Sequence, residues 1–384
     1  MQIDKSRLSE KQQGNFQRNL EAYENKSPVT AVAPSVLYLE LTRNCFGQCV
    51  FCKKVAFNDP ANNMDEALFE RLLADYVSFA VLVDLRGWGE SLLLPNFKKY
   101  IEKVSALGPK IRLTTTLGCG SEESLQSLID HDVFISVSLD YATKDTYERM
   151  RRGLSFSTVM KNLKFVTERM KQKGTLKDNI RLGVAPLQKA NLKEIAGIFK
   201  IAEQLGIPAL YLSPLAAEKN DRALLSYHEK DTIKALKNAV VLSEKTGIRM
   251  HLLRCPFKKL YDKARSFDLC CHPWLYGLVT SDGNMLCCDH MLGHNTDAWG
   301  HISEGRDKVW NGAKAQQTRR AHAVLEKSAL PEKCQACYGV GRYADHEHEI
   351  DPAFAKWLMD GPALKKKLSK TESILEKLAA GSLF

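Results

Sequence analysis

Short apolar segments and amphipathic segments of helical length alternate along most of this chain. The predicted strands comprise residues 37–41, 81–85, 111–115, 133–139, 180–186 and 210–214. The predicted helices comprise residues 65–79, 96–107, 122–130, 156–171, 192–205 and 230–246. Repeated strand-then-helix units favour parallel strands joined by crossover helices, so the predicted fold class is α/β.

Three cysteines follow the first predicted strand with the spacing C-x3-C-x2-C, at Cys45, Cys49 and Cys52. One loop with this spacing can direct three thiolates at a common point, as an iron-sulfur cluster requires. Three ligands leave one iron of a four-iron cluster without a protein ligand. A structural zinc site needs four ligands, and no fourth Cys or His follows within the loop. The remaining alternative is three unrelated cysteines that pack as small apolar residues.

This loop, with the aromatic Phe51 before its last cysteine, resembles the signature of the radical S-adenosylmethionine (radical SAM) family. The resemblance implies that the three cysteines hold a 4Fe-4S cluster whose open iron is chelated by S-adenosylmethionine (SAM). One electron, from a reductant such as flavodoxin or ferredoxin, then releases a 5'-deoxyadenosyl radical that removes a hydrogen atom from the substrate. The six strand-helix units match the partial (β/α)6 barrel of this family, in which functional residues follow the carboxyl ends of strands.

A glycine-rich segment, Gly87-Trp88-Gly89-Glu90, follows the second predicted strand. It resembles the Gly-Gly-Glu element that contacts the amino group of SAM in the family, and Trp88 departs from the commonest form. Glycines allow a close backbone approach, and a carboxylate can accept hydrogen bonds from an ammonium group. Without the resemblance, the segment would be read as an ordinary turn.

The fourth predicted strand ends in Ser138-Leu-Asp140. The family resemblance implies that Ser138 and Asp140 lie near the carboxylate or ribose of SAM, together with an arginine from the following helix. Arg151 is the candidate for that arginine, and Arg149 and Arg152 are its competitors.

Two further cysteines are candidate hydrogen donors. Cys119 follows the third predicted strand, where many relatives have a Thr-Asn-Gly turn, and Cys255 lies beyond the last predicted helix. In epimerising relatives a thiol returns a hydrogen atom to the opposite face of the substrate radical. The alternative for Cys119 is that it packs as a small apolar side chain.

A second cysteine-rich region begins at Cys270-Cys271 and continues through Cys287-Cys288 to a C-x2-C pair at Cys334 and Cys337. Asp282-Gly283 between two apolar segments predicts a β-hairpin. Such a hairpin would bring Cys271 and Cys288 together, and the C-x2-C pair would complete four thiolates for a closed 4Fe-4S site. The same four cysteines also suit a zinc ribbon. Cys270 and Cys287 remain alternative ligands.

The spacing Cys271-x11-Gly283-x4-Cys288 resembles the opening of the SPASM domain, an auxiliary-cluster domain of radical SAM enzymes. No cysteine follows Cys337, so the region is closer to the shortened, single-cluster "twitch" form. The resemblance implies an auxiliary 4Fe-4S cluster in addition to the SAM-binding one.

The predicted organisation is an N-terminal helical extension (1–34), a radical SAM partial barrel (35–250), an auxiliary-cluster domain (251–345) and a C-terminal helical tail (346–384). A chain of 384 residues is long enough for one large domain and a smaller one. Residues 248–253 are predicted to form a strand that bridges toward the second module.

No apolar run is long enough to span a bilayer, and charge near the N-terminus excludes a secretory signal. The net charge of +10 is spread along the chain, which favours a solvated surface over a nucleic-acid footprint. We therefore expect a cytoplasmic protein without membrane or nucleic-acid partners. Eleven cysteines in a reducing compartment indicate metal binding.

The resemblance favours a radical SAM oxidoreductase or epimerase that acts on a hydroxylated small molecule such as a sugar or aminocyclitol. Modification of a ribosomally made peptide is the second candidate. Peptide-modifying members commonly carry a leader-binding segment, for which the short N-terminal region leaves no room. A non-catalytic iron-sulfur protein is the candidate from a different class.

Overall fold

The structure is a computed structural model that describes residues 4–52, 59–215, 222–252 and 269–340. The strands are β1 Val36–Leu39, β2 Gln48–Cys49, β3 Leu82–Leu85, β4 Lys110–Thr115, β5 Phe134–Ser138, β6 Arg151–Arg152, β7 Ile180–Leu187, β8 Ala209–Pro214, β9 Arg249–Leu252, β10 Tyr276–Val279, β11 Asn284–Leu286 and β12 Gly300–His301. The helices are α1 Glu10–Glu24, α2 Glu66–Asp75, α3 Phe97–Ala106, α4 Glu122–Asp130, α5 Lys144–Met150, α6 Phe156–Lys173, α7 Leu176–Asn179, α8 Ile195–Leu205, α9 Glu229–Thr246, α10 His272–Leu275, α11 Arg306–Trp310, α12 Ala313–Val324 and α13 Glu332–Val340.

Ten of these strands form one mostly parallel sheet in the order β12-β11-β10-β1-β3-β4-β5-β7-β8-β9. All six predicted strands are present, lie side by side in chain order, and end within two residues of their predicted limits. The predicted α/β fold with parallel strands and crossover helices is therefore confirmed. The cysteine loop follows the carboxyl end of β1, and the glycine-rich segment follows the carboxyl end of β3. These two strands are neighbours in the sheet.

The helices between the strands form because each carries one apolar face. In α8, the buried residues Ile195, Ile198, Phe199 and Ala202 recur at helical spacing, so one face packs on the sheet. This helix ends at Gly206, whose positive φ of 72° favours glycine. Among the residues that the structure describes, no helix has both the length and the apolar character needed to cross a bilayer.

The predicted hairpin forms, with β10 and β11 antiparallel and Gly283 at a positive φ of 84° in the turn. Its first strand does not stand apart from the barrel, since β10 pairs in parallel with β1 along residues Val36–Leu39. The predicted second module thus extends the sheet of the first. The strand predicted within residues 248–253 forms as β9, but the prediction that it bridges toward this module is wrong, because β9 pairs with β8 at the opposite edge.

Candidate active site

The cysteine loop brings its three thiols together. Cys45 and Cys49 are half-buried and Cys52 is exposed, and the Cys52 N–H donates to the carbonyl oxygen of Cys49 at 3.0 Å. Burial raises the pKa of the Cys49 thiol; Arg151 opposes this rise, and the charges of Cys52 and Cys45 add to it. Because both neighbours act on Cys49, the three sulfur atoms lie near one another. Such a site suits a metal cluster whose positive charge relieves the repulsion.

Arg151 lies directly beside this loop. β2 and β6 pair so that Cys49 is opposite Arg151, whose Nη1 is 3.9 Å from the Cys49 Sγ. The guanidinium carbon is 5.2 Å from the centre of the Phe51 ring. Arg149 and Arg152 are both exposed, so the structure distinguishes the buried Arg151 from its two competitors.

Asp140 holds Arg151 in this position. Its Oδ2 accepts a hydrogen bond from Arg151 Nε at 2.7 Å, and its Oδ1 accepts one from the Ala185 N–H at 2.8 Å. Both oxygens are therefore engaged within the fold, which favours a positioning role for Asp140. Ser138, the other predicted residue, lies half-buried at the carboxyl end of β5.

The glycine-rich segment is anchored by the buried Glu90. Its Oε1 accepts from the Thr115 hydroxyl at 2.7 Å, and its Oε2 accepts from the Thr116 N–H and hydroxyl, both at 2.8 Å. The Glu90 N–H donates to the carbonyl oxygen of Asn44 at 2.8 Å. Glu90 thus joins three loops at the carboxyl edge of the sheet, and its carboxylate is occupied by protein donors.

The two glycines of this segment are required by protein packing. A Cβ on Gly87 would overlap the Glu40 side chain, and a Cβ on Gly89 would overlap the carbonyl oxygen of Thr42. The sequence predicted that these glycines allow close approach to a ligand. The close contacts that the structure shows are instead with Glu40 and Thr42. The segment packs on the chain that leads from β1 into the cysteine loop.

Five of the six cysteines in the second region line one partly open pocket. They are Cys270, Cys287, Cys288, Cys334 and Cys337, and His272, His290 and His322 complete much of the wall. Cys271, which the spacing favoured, does not line the pocket, whereas its alternative Cys270 does. Cys271 is the N-cap residue of α10, and its backbone is already helical.

The thiols of this pocket act on one another. Burial raises the pKa of Cys270 and of Cys288 well above the ordinary thiol value, and neighbouring charges of Cys271 and Asp289, respectively, raise it further. A hydrogen bond from Cys287 lowers the pKa of Cys334 to about 5. Clustered sulfurs in a buried pocket fit an iron-sulfur cluster. The side chains of His272, Cys288 and Asp289 also offer ligand atoms within 4.8 Å of one another. A metal site with mixed ligands therefore also fits these described residues.

Comparisons with known proteins agree with both sites. Residues 39–182 match the family model of the radical SAM superfamily, and residues 270–338 match that of SPASM, an iron-sulfur cluster-binding domain. The chain therefore contains a radical SAM domain followed by a SPASM domain. Its two domains imply a SAM-binding 4Fe-4S cluster, auxiliary iron-sulfur binding and SAM as cofactors.

One curated relative of this radical SAM protein is the tungsten-containing aldehyde ferredoxin oxidoreductase cofactor-modifying protein of Pyrococcus furiosus. The two are 25% identical over 186 residues, which are 47% of this chain and 51% of that protein. The chain thus spans about half the length of this relative.

Two similar solved structures share the radical SAM fold. SuiB of Streptococcus suis, bound to S-adenosylmethionine, superposes with a TM-score of 0.60 at 15% identity, covering 79% of this chain and 69% of that one. A structure of anSMEcpe with bound AdoMet gives a TM-score of 0.56 at 17% identity, covering 91% and 98%. At these identities the likeness shows the fold.

Sequence reasoning missed Glu40, which links the two cluster regions of this radical SAM protein. Glu40 is buried just beyond β1, where its Oε1 accepts the Trp88 N–H at 2.9 Å and its Oε2 accepts the Ser281 N–H at 3.3 Å. Burial raises the pKa of its carboxyl group, and the two backbone donors partly offset the rise. The sequence signal that could have identified Glu40 is a carboxylate directly after an apolar strand.

Arg86 forms a second link between the SAM loop and the auxiliary-cluster loop. It precedes the glycine-rich segment, and its Nη1 lies 2.7 Å from Oδ2 of Asp289, the residue after Cys288. Arg86 also pairs with Asp84 and lies over the Tyr38 ring at 4.6 Å. The structure therefore joins the two sites through a partly buried ion pair.

Cys119 lies beside the cluster loop of the radical SAM domain, whereas Cys255 falls outside the described residues. Cys119 is half-buried, and burial raises the pKa of its thiol strongly, with further contributions from Glu90 and Cys45. The side chain consequently remains a protonated thiol at neutral pH. A protonated thiol is the form that can donate a hydrogen atom.

Proposed function

We propose that this protein cleaves SAM reductively and uses the resulting 5'-deoxyadenosyl radical to remove a hydrogen atom from a substrate carbon. The observation that carries the proposal is the convergence of Cys45, Cys49 and Cys52 beside the buried Arg151. When bound there, the reduced cluster supplies the electron that breaks the SAM sulfonium bond. The chain's own residues bind and orient the cofactor.

Arg151 and the glycine-rich segment are the proposed SAM contacts. Arg151 directs Nη1 toward the cysteine loop, while its Nε and Nη2 pair with Asp140, so Nη1 is the nitrogen that can donate to the SAM carboxylate. The backbone of Gly87–Glu90 lies on the other side of the loop, close to Thr42 and Asn44. Ser138 and Phe51 are proposed to contact the nucleoside part of SAM, and Asp140 and Glu90 to hold these elements in place.

For the substrate, we propose a hydroxylated small molecule that is oxidised. The radical removes one hydrogen atom from a carbon bearing a hydroxyl group, and loss of one proton and one electron then converts that carbon to a carbonyl. Cys270, Cys288, Cys334 and Cys337 are the proposed ligands of an auxiliary cluster, which would supply the acceptor for that electron. The Arg86–Asp289 contact between the two loops supports their joint action.

Epimerisation is the second candidate, and the buried, protonated thiol of Cys119 favours it. In that reaction the thiol hydrogen atom is transferred to the substrate radical, which leaves a thiyl radical. One electron, which an auxiliary cluster would supply, and one proton from solvent would restore the thiol. A peptide substrate is also a candidate, since similar folds have been solved with the precursor peptide SuiA and with the Kp18Cys peptide.

The test of this proposed function is anaerobic reconstitution followed by reduction with dithionite in the presence of SAM. We expect 5'-deoxyadenosine to accumulate with the wild-type protein and to fall to background in Cys49→Ala. If wild type forms none, the non-catalytic iron-sulfur protein is the correct alternative.

Solvent deuterium distinguishes the two reaction types once a substrate is supplied. A product that is an isomer of the substrate and carries one solvent deuterium indicates epimerisation. If Cys119→Ala or Cys255→Ala no longer forms this deuterated product but still forms 5'-deoxyadenosine, the replaced cysteine is the hydrogen donor. An oxidised product without deuterium indicates dehydrogenation.

A further inference from the structure

Arg181 is a partly exposed arginine on the sheet face that carries the active-site residues. It is the second residue of β7, where it is the register partner of Ser136 on β5, and residues two apart on a strand share a face. Ser136 therefore shares its face with Ser138, and Asp140 continues the same alternation. Arg181 thus belongs to the same side of the sheet as the proposed SAM contacts.

Aromatic rings hold the Arg181 guanidinium in a fixed orientation. Its central carbon lies 4.4 Å from the centre of the Tyr211 ring and 5.4 Å from that of Phe134. Nε donates to the Ser136 hydroxyl at 3.0 Å. Tyr211 in turn lies over Gly183, where a Cβ would overlap its ring. The ring contacts engage the faces of the guanidinium group, and the hydrogen bond to Ser136 engages its Nε.

The two terminal nitrogens of Arg181 have no acceptor among the described residues. The nearby carboxylates are engaged elsewhere, because Asp84 pairs with both Arg112 and Arg86, and Arg86 also pairs with Asp289. Among the described residues, neither Asp84 nor Asp289 pairs with Arg181. Burial lowers the pKa of Arg181 to about 10, and repulsion from Arg112 and Arg86 adds to the effect.

A packing role alone does not account for this arrangement. An apolar side chain could fill the space between two aromatic rings without the cost of burying a charge beside two other arginines. An oxyanion placed at the terminal nitrogens would instead accept a bidentate hydrogen-bonded pair and offset the repulsion that Arg112 and Arg86 exert on Arg181.

We propose that Arg181 binds an anionic group of the substrate, a carboxylate or a phosphate, through its two terminal nitrogens. This inference rests on the proposed function, because it assigns the substrate to the sheet face that also holds SAM. Arg181 would then act as a specificity residue that selects anionic over neutral substrates, while Tyr211, Phe134 and Ser136 fix its orientation.

The test is calorimetric titration of the reconstituted, SAM-loaded protein with inorganic phosphate and, separately, with acetate at constant ionic strength. We expect saturable binding of at least one anion, and the tighter one identifies the class. In Arg181→Met the dissociation constant should rise about tenfold or more, as loss of charge-assisted hydrogen bonds implies. Arg169→Met is the matched control, because Arg169 is exposed on α6 and stacks on Phe165 at 5.4 Å.

Arg181→Lys guards against a folding defect in the methionine variant, since it keeps the charge but removes the planar fork. The Arg181→Lys variant should fold and bind SAM, and it should bind the anion more weakly than the wild type does. The proposal is overturned if wild type binds neither anion saturably, or if Arg169→Met weakens binding as much as Arg181→Met. Calorimetry requires no SAM cleavage, so a wild type that binds anions but forms no 5'-deoxyadenosine would contradict only the proposed function.

Discussion

The pairing of Arg151 with Asp140 sets the electrostatics of the cysteine loop at the scale of single residues. Both side chains are buried, so removing one leaves an uncompensated charge. We expect Arg151→Met to destabilise the protein by about 3 kcal/mol, as is usual for a broken buried ion pair. Thermal or denaturant unfolding measures this loss, and Arg152→Met, one residue away and exposed, should change stability little.

A double variant separates the stabilising role of Arg151 from its role in cofactor binding. Asp140→Asn combined with Arg151→Met removes both charges and should recover much of the lost stability. If Arg151 contacts SAM, the SAM affinity of the double variant remains low. Recovery of affinity together with stability would show that Arg151 serves only the fold.

The choice between Cys270 and Cys271 is also decided at the residue scale. Cys270 lines the cysteine pocket and Cys271 does not. We therefore expect Cys270→Ala to lose about four irons per chain, the content of one 4Fe-4S cluster, and Cys271→Ala to keep them. Iron and sulfide analysis of the two anaerobically reconstituted variants measures this, and the opposite pattern would restore the assignment that the spacing favoured.

At the scale of elements, the loop after β3 depends on its close packing against the chain beyond β1. A methyl group at Gly89 would overlap the backbone of Thr42, so Gly89→Ala must displace the cysteine loop. We expect lower stability and a lower yield of the SAM-binding cluster. Gly14→Ala, within α1, should instead stabilise by about 0.5–1 kcal/mol because alanine favours a helix. Equal cluster yields in the two variants would contradict this packing role.

The sequence predicted the elements better than the contacts between them. The six strands were found because each is a short apolar run, and burial of β1 and β3 on both faces accounts for those runs. The addition of β10 to β1 was not foreseen, since pairing between distant strands leaves no local pattern. Glu40 was missed for the same reason, because its role depends on contact with Ser281 across that pairing.

At the scale of the whole molecule, the two cluster regions are parts of one sheet and share the Arg86–Asp289 ion pair. We expect Asp289→Asn to weaken SAM binding severalfold, because Arg86 is then free to shift the glycine-rich segment. The exposed Asp307 gives the control variant Asp307→Asn, which should leave SAM affinity unchanged. Equilibrium binding of SAM to both variants tests the coupling, and equal affinities would contradict it.

The central claim is that Cys45, Cys49 and Cys52 hold a cluster with one iron open to SAM. The most direct measurement is electron paramagnetic resonance of the dithionite-reduced protein, recorded with and without SAM. We predict that the signal of one cluster changes on addition of SAM, and that this SAM-responsive signal is absent in Cys49→Ala while that of the auxiliary cluster remains. A spectrum that does not respond to SAM, or that still responds in Cys49→Ala, would contradict the account.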